Sequence, residues 1–259
     1  VVIIVGGPQY RAGSHRQFTL LARHLAGEGV ASFRFDYRGM GDSEGTMRTF
    51  EQINDDIRTS IDTFIHHVPD VKQVVLWGLC DAASASLYYG HSDPRVKGMV
   101  LLNPWVHTEA SGARARIKHY YLARLLSRSF WTKLLSGKVK IGASINDLTS
   151  AAKSINPESN TPPATPLDPR HGSDGYIDRM LQGIQKFKGK LQFILSGHDL
   201  TAEEFISLTE VNKNWKSALT RHNAAMSTVR EANHTFSTNL WRNHVAKITT
   251  QHIKPAHKQ

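Results

Sequence analysis

Short apolar runs alternate with amphipathic segments along most of the chain. The runs are rich in β-branched residues and have the length of buried strands. They predict strands at Val1–Val5, Val30–Phe35, Val71–Trp77, Val96–Leu102, Leu191–Leu195 and Met226–Arg230. Apolar residues at helical spacing predict helices at His15–Leu25, Phe50–His66 and Ala82–Tyr89. This alternation predicts right-handed crossovers and an α/β fold with a mostly parallel, doubly wound sheet.

The alternation breaks between about Trp105 and Ile177. A basic helical stretch comes first, and residues 156–172 then contain five prolines and no periodicity. In an open α/β sheet, such an insertion usually covers the carboxyl ends of the strands, where ligands bind. We therefore interpret about 105–177 as a cap or lid inserted into a single domain that spans residues 1–259.

Length and composition fit that interpretation. The chain has 259 residues, of which 40% are hydrophobic and 21% are charged, so it can form a sizeable core and is not expected to be disordered. No apolar run approaches the roughly 20 residues that a membrane span requires. Cys80 is the single cysteine, which excludes an internal disulfide and favours a reducing compartment, so we expect a cytoplasmic protein.

Positive charge is concentrated in one segment. The formal net charge is +10, and eight Lys or Arg residues lie between Ala110 and Asn146, where no Asp or Glu occurs. Because the rest of the chain is close to neutral, a protein-wide nucleic-acid surface is not expected. The segment from Ile117 to Leu135 has an apolar stripe opposite a basic face, which is typical of a cap helix.

Two alternatives for this basic segment stay open. It could form a lid that binds an acyl chain and an anionic group, with Arg124, Arg128 and Trp131 as substrate-binding residues. It could instead lie on a membrane surface, as basic amphipathic helices do, although we do not favour that interpretation.

The main chemical motif is Gly78-Leu79-Cys80-Asp81-Ala82, which follows a predicted buried strand and opens a predicted helix. A nucleophile elbow needs small residues two before and two after the nucleophile, because the turn between strand and helix is strained. Gly78 and Ala82 meet that requirement. The helix start also favours the thiolate form of the cysteine. Cys80 is therefore the candidate nucleophile, and the alternative is a buried structural cysteine.

A nucleophile on this fold needs an acid and then a histidine later in the chain. Asp199 directly follows one predicted strand, and His234 follows the last one, so both occupy the expected places. The alternative candidates for the acid are Glu203 and Glu204. Both fall where the first turn of the next helix is predicted, and carboxylates are favoured at such positions for a structural reason. Two other late histidines, His244 and His252, fall in a helical pattern and are interpreted as surface residues.

An oxyanion hole should complete the site. One donor should be the backbone N–H of Asp81, which directly follows the nucleophile. The other should come from the loop after the first strand, where Pro8 has no N–H, so we favour Gln9 and place Tyr10 second. The segment Asp36-Tyr37-Arg38 also lies at a strand end, and we interpret it as a structural Asp–Arg pair.

These motifs resemble known families. Gly39–Ser43, the cysteine turn and the loops at Asp199 and His234 resemble the α/β-hydrolase superfamily over the whole chain. More narrowly, Gly6–Arg11, Gly78–Ala82 and Asn233–Phe236 resemble the exosortase A system-associated hydrolases, bacterial proteins linked to exopolysaccharide production and to protein sorting at the envelope.

The resemblance implies an α/β-hydrolase fold with a helical cap insertion and the activity of a hydrolase. Serine is the usual residue at the superfamily's elbow, so Cys80 is a departure, although dienelactone hydrolases are similar in using Cys, His and Asp. The chain opens at what is normally an interior strand, so the first strands of the fold are expected to be missing from it.

The resulting hypothesis is an ester or thioester hydrolase that passes through an acyl-cysteine and acts on a small-molecule acyl substrate. An acyltransferase is a close alternative, and a binding or scaffolding protein that kept the fold is another, since fold alone does not establish activity. We expect neither a metal ion nor another cofactor, and no nucleic-acid partner. The substrate's identity and the oligomeric state stay open.

Overall fold

One parallel sheet forms the centre of the protein. The computed structural model describes residues 1–107 and 175–254. In this part of the chain, six strands lie in the order β2-β1-β3-β4-β5-β6, and every neighbouring pair is parallel. The strands are β1 (Val2–Ile4), β2 (Phe33–Arg34), β3 (Val74–Leu79), β4 (Val96–Leu102), β5 (Lys190–His198) and β6 (Ala225–Asn233). The predicted α/β class and mostly parallel sheet are confirmed.

Helices cover both faces of the sheet. The described α-helices are α1 (Gln17–Gly27), α2 (Asn54–His67), α3 (Asp81–Tyr89), α4 (Tyr176–Lys186), α5 (Leu200–Val211), α6 (Lys213–Arg221) and α7 (Asn239–Ile253). Short 3₁₀ turns occur at Ser14–Arg16, Phe50–Gln52 and Gly90–Ser92. Helices α1 and α7 pack on one face, and the other five helices contribute to the core on the opposite face.

The continuous apolar runs reflect burial on both sides. In β1, Val2 and Ile4 belong to the core on one face, whereas Ile3 belongs to the core on the other. Successive side chains of a strand point to opposite faces, so a strand covered on both sides needs apolar residues at every position.

Strand lengths differ from the predictions because pairing partners set them. β2 pairs with β1 only through Phe33 and Arg34, so it is shorter than the predicted Val30–Phe35. β3 begins at Val74, which pairs with Val96 at the start of β4. β5 and β6 continue past the predicted ends because they pair with each other as far as His198 and Asn233.

One predicted surface residue is partly buried. His252 in α7 packs against the sheet, where a Cβ on Gly98 would lie 3.1 Å from its Nε2. Burial, followed by the positive charge of Lys190, lowers the pKa of His252. The surface interpretation of His252 was wrong because one face of α7 lies on β4 and β6, whereas His244 is exposed as predicted.

The chain leaves and re-enters the described part at neighbouring points. The Tyr176 hydroxyl donates to the carbonyl oxygen of His107 at 2.8 Å. Most of the predicted cap at about 105–177 lies outside the described residues, as do Arg124, Arg128 and Trp131. Among the helices that the structure describes, none is long and apolar enough to cross a membrane.

Candidate active site

Three strands of the sheet end at the three candidate residues. β3 ends at Leu79, immediately before Cys80, while β5 ends immediately before Asp199 and β6 immediately before His234. All three strands are parallel, so their carboxyl ends lie along one edge of the sheet. The structure therefore brings all three residues to the edge where open α/β sheets bind ligands.

Cys80 occupies a strained backbone conformation. Its φ of 62° and ψ of −124° lie outside the regions that are favourable for a non-glycine residue, at a cost of about 1–3 kcal/mol. Hydrogen bonds hold this geometry, because the Cys80 N–H donates to Leu102 O at 2.9 Å and its carbonyl accepts from Ala83 N at 3.0 Å. The amide of Trp105 donates to the same carbonyl at 3.3 Å.

Close backbone approach explains the small residues around Cys80. A Cβ on Gly78 would lie 2.6 Å from the carbonyl carbon and oxygen of Ala82. A Cβ on Gly6, in the loop after β1, would lie 2.2 Å from Leu79 O. Neither position accepts a side chain without a backbone shift, so both glycines are needed for the elbow to close against its neighbours.

Helix α3 begins directly after Cys80. The backbone N–H groups of a helix's first turn point out of its start, and the helix dipole is positive there. These groups would stabilise a negative charge that develops at the start of the helix. The side chain of Cys80 is nearly buried, since only 8% of the residue is exposed.

His234 is held by Asp199. Its Nδ1 lies 2.9 Å from Asp199 Oδ2, and the carboxylate is buried whereas the imidazole is about one-third exposed. The same carboxylate oxygen accepts the Ala202 amide at 3.2 Å, as the N-cap of α5. This contact uses Nδ1 of the ring and leaves Nε2 for proton transfer. A carboxylate that orients a histidine in this way is a feature of hydrolytic triads.

The carboxylate of Asp81 ties the loop after β1 to the elbow. The Gly7 N–H donates to Asp81 Oδ1 at 2.6 Å, and only 2% of Asp81 is exposed. Burial raises the pKa of the neighbouring Tyr37, and the negative charges of Asp81 and Asp56 raise it further. The sequence analysis gave a role only to the backbone of Asp81 and did not anticipate this side-chain contact.

The two other predicted oxyanion residues, Gln9 and Tyr10, already make hydrogen bonds, Gln9 within its own loop and Tyr10 to the segment after β2. The Gln9 N–H donates to Gly7 O at 2.7 Å, and its side-chain oxygen accepts the Ser14 amide at 3.2 Å. The Tyr10 hydroxyl donates to Asp42 Oδ2 at 2.8 Å, and 44% of Tyr10 is exposed. Gln9 would therefore have to break its contact with Gly7 before its amide could bind an oxyanion.

The predicted Asp–Arg pairing within one segment was wrong. Asp36 pairs with Arg11, both through the guanidinium and through the Arg11 amide at 2.7 Å. Arg38 instead pairs with Asp56 in α2, at 2.8 Å from Nε and 3.0 Å from Nη2. The segment is structural as predicted, but its partners come from other elements, which lie close only after folding.

A second histidine–carboxylate pair lies near the site and was missed. His107 Nδ1 lies 2.8 Å from Oε1 of Glu204, a buried residue in α5. Tyr176 joins this group through the His107 carbonyl, and burial raises its pKa, followed by the charges of Glu204 and Cys80. Glu204 is therefore buried and lies just beyond the first turn of α5, whereas the sequence analysis placed it within that turn.

Asn103, which directly follows β4, was also missed. It is fully buried and its side-chain amide bonds Ser196 and the backbone of His234. Its position after a strand was the only available signal, because nothing in the sequence relates it to residues about 100 positions away.

A parallel sheet that carries a cysteine elbow and a carboxylate-bound histidine along one edge defines an α/β-hydrolase. Comparison with known families makes the assignment narrower. The chain belongs to the hydrolase family described as serine aminopeptidase, S33, whose match covers residues 1–204. That description names a serine, whereas the elbow of this chain has Cys80. The comparison with curated protein sequences gave no match.

Solved structures with the same fold include enzymes of ester hydrolysis. An esterase of Pyrococcus furiosus is 15% identical with a TM-score of 0.60, over 98% of this chain and 81% of that chain. Est1E of Butyrivibrio proteoclasticus, solved with ferulic acid, is 13% identical with a TM-score of 0.57, over 97% and 88%. A monoacylglycerol lipase of Paleococcus ferrophilus is 15% identical with a TM-score of 0.57, over 96% and 91%. At these identities the likeness concerns the fold.

Proposed function

We propose that the protein hydrolyses an ester or thioester bond through an acyl-cysteine formed on Cys80. The observation that carries the proposal is the contact between His234 Nδ1 and Asp199 Oδ2, at the edge of the sheet where the Cys80 elbow lies. In this proposal Cys80 is the nucleophile, His234 is the general base and then the acid, and Asp199 orients the imidazole.

The reaction has two halves. His234 Nε2 takes the thiol proton, and the Cys80 sulfur attacks the acyl carbonyl to give a tetrahedral oxyanion. When this intermediate collapses, the leaving alcohol or thiol receives the proton from His234, and the acyl group stays on the sulfur as a thioester. Water then attacks the thioester, with His234 again as base, and releases the acid together with the regenerated thiol of Cys80.

The oxyanion would be stabilised by backbone donors. The Asp81 amide opens α3 directly after the nucleophile, and a helix start provides donors and a positive dipole for an anion. Gln9 remains our second donor, provided that substrate binding opens its contact with Gly7, and Tyr10 is the alternative. The bond between Gly7 and Asp81 supports this role, because it fixes the loop next to the elbow.

The proposed substrate is a small acyl compound with an anionic group. Arg124 and Arg128 would bind the anion and Trp131 the acyl chain, on the basis of the basic amphipathic pattern. The names of two similar structures, a monoacylglycerol lipase and a protein with bound ferulic acid, refer to acyl and carboxylic compounds. The motif resemblance further suggests a role in bacterial exopolysaccharide or exosortase-linked processes.

The cysteine also favours a second candidate, which is acyl transfer. A thioester intermediate retains enough acyl-transfer potential for an alcohol or amine to compete with water. The two activities share the acyl-enzyme and differ in its acceptor. A protein that binds acyl compounds without turnover is the remaining alternative, and it would form no acyl-enzyme.

Trapping the acyl-enzyme tests the proposal. The protein is mixed with nitrophenyl esters and acyl thioesters of varied chain length, quenched in acid and weighed by intact mass spectrometry. We expect a mass increase equal to the acyl group on Cys80, and none in Cys80→Ala, which should also lack turnover. Adding alcohols or amines then measures how the acyl group is divided between water, which gives hydrolysis, and the added acceptor, which gives acyl transfer. Turnover that survives in Cys80→Ala, with no adduct in the parent protein, would contradict the proposal.

A further inference from the structure

Asn103 links three strands at the carboxyl edge of the sheet. Its Nδ2 donates to Ser196 Oγ in β5 at 2.7 Å and to the His234 carbonyl oxygen after β6 at 3.1 Å. Its Oδ1 accepts the Ser196 amide at 2.9 Å, and its own amide donates to Ile194 O at 3.2 Å. The residue is fully buried, so each of these bonds replaces one that water would otherwise make.

The same stretch of chain also holds the elbow. The carbonyl of Leu102, which immediately precedes Asn103, accepts the Cys80 N–H at 2.9 Å. Consecutive residues at the end of β4 therefore bind the backbone of Cys80 on one side and the backbone of His234 on the other. Cys80 and His234 are about 150 residues apart in sequence, and this connection between them runs through the hydrogen bonds of Leu102 and Asn103.

The backbone conformation of Asn103 adds a second constraint. Its φ is 42°, a left-handed conformation that asparagine tolerates better than most residues. Glycine would adopt the same φ without strain but would make none of the side-chain bonds. The conformational and hydrogen-bonding roles can therefore be separated by a single substitution.

We propose that Asn103 is a positioning residue that holds the backbone of His234 at a fixed distance from the Cys80 elbow. The proposal rests on the function proposed above only for its kinetic consequence, since the geometric role concerns where His234 lies relative to the elbow, whether or not Cys80 reacts. Misplacing a catalytic group by about 1 Å can reduce the rate about a hundredfold. A mobile His234 would therefore lower kcat while leaving KM nearly unchanged, because Asn103 is too deeply buried to contact substrate.

The test compares Asn103→Gly with a matched control, Gln192→Ala. Gln192 is another buried side-chain amide that reaches β6, through Ser227 Oγ at 3.2 Å, but it lies toward the opposite end of β5. Thermal unfolding measures the loss of stability in both variants. Proton NMR then follows the low-field signal of the His234 Nδ1 proton bonded to Asp199, assigned by its absence in His234→Ala.

A second measurement is the pH dependence of iodoacetamide labelling, which reports on Cys80 alone because it is the single cysteine. We expect Asn103→Gly to lose or broaden the Nδ1 proton signal and to slow labelling at neutral pH by about tenfold or more. Gln192→Ala should keep both properties even if its unfolding temperature falls as far. A merely structural role for Asn103 would affect the two variants alike.

The outcomes separate the two proposals. If Asn103→Gly keeps the proton signal, the positioning role is wrong, whatever the labelling rate. If the signal is lost in Asn103→Gly but Cys80 of the parent protein labels no faster than a free thiol, positioning stands and the nucleophile proposal fails. Should Asn103→Gly not fold, Asn103→Asp replaces it, because aspartate keeps the shape and tolerates the φ but presents an oxygen where Nδ2 donated. An unchanged proton signal in that variant would likewise overturn the proposal.

Discussion

Oδ2 of Asp199 accepts from two groups, because it lies 2.9 Å from His234 Nδ1 and 3.2 Å from the amide of Ala202. One carboxylate thus orients an imidazole and caps helix α5. The two roles differ in their chemical requirements, since a cap needs only an oxygen acceptor whereas the imidazole needs a negative charge.

Replacing Asp199 by asparagine should therefore remove activity without unfolding the protein. Asparagine caps helices as well as aspartate, so we expect the unfolding temperature to change little. It does not stabilise the imidazolium or the correct tautomer, so kcat should fall by about 10³–10⁴-fold. Steady-state kinetics and thermal unfolding check this together, with Glu203→Gln as the control that removes a nearby carboxylate. Equal activities of the two variants would exclude Asp199 from the mechanism.

Cys80 should react as an activated thiol. A free cysteine with a pKa near 8.5 is only a few per cent thiolate at neutral pH, whereas a helix start and an imidazole favour the thiolate. We expect iodoacetamide to label Cys80 faster than a model thiol below pH 7, and His234→Ala to slow the reaction. Intact mass against time gives the rates.

The serine variant distinguishes two forms of the mechanism. Serine must lose its proton during attack, so Cys80→Ser can keep activity only if His234 is well placed as a base. Esterase activity in this variant would indicate a conventional hydrolase site. An inactive serine variant beside an active parent protein would mean that the chemistry depends on the preformed thiolate.

Gly78→Ala should disrupt the elbow itself. Its Cβ would meet the backbone of Ala82 at 2.6 Å, and backbone atoms cannot move aside as a flexible side chain can. We expect a loss of stability of about 1–3 kcal/mol, together with reduced Cys80 labelling. The matched control is Gly27→Ala in α1, where a Cβ meets nothing within 4 Å. Chemical denaturation of both variants measures the difference, and similar stabilities would contradict the steric argument.

An acid-sensitive contact lies away from the candidate site, before β4. Burial alone would raise the pKa of Asp93, but hydrogen bonds from Arg95 and Tyr89 lower it to about 2. The unfolded value is about 3.9, so the bonds stabilise the protein above that pH and lose their effect as the pH falls toward 2. Asp93→Asn should therefore cost about 2 kcal/mol at pH 7 and progressively less below pH 4.

Denaturation at several pH values checks that prediction, and turnover at neutral pH should stay at the parent level. If the difference in stability between the parent protein and Asp93→Asn does not change between pH 7 and pH 2, the contact does not depend on the negative charge of Asp93.

The basic segment can be tested through its charge. If Arg124 and Arg128 select anionic substrates, neutralising both should raise KM for an anionic acyl donor and leave a neutral donor almost unaffected. High salt should have the same effect on the parent protein, because it screens exposed charges. Kinetics with a matched pair of donors measures this, and equal effects on both would leave the segment with a purely structural role.

The sheet could be predicted because its strands are buried on both faces. Val96–Leu102 was placed at its observed limits, since the whole strand lies between paired neighbours. The ends of β5 and β6 could not be predicted, because polar residues there pair with one another. Such pairing depends on which strands become neighbours, and a local pattern does not contain that information.

In the candidate site, too, some residues follow from the local sequence pattern whereas others depend on contacts between distant parts of the chain. Cys80, Asp199 and His234 each follow a strand, as predicted, because the local pattern is enough to indicate where a strand ends. Asn103 and the pair of His107 with Glu204 depend on contacts across about 100 residues. The partners of Asp36 and Arg38 were misassigned for the same reason, because proximity in sequence was taken as proximity in space.

The hydrogen bond between Tyr176 and His107 has an evolutionary consequence. Residues 108–174 lie between His107 and Tyr176, and this hydrogen bond holds those two residues together. Closing a longer loop between fixed ends costs little additional entropy, since the cost grows only with the logarithm of its length. Insertions or deletions between these two points therefore need not alter the sheet, so the sequence of this interval can vary more freely than the sequences of the strands.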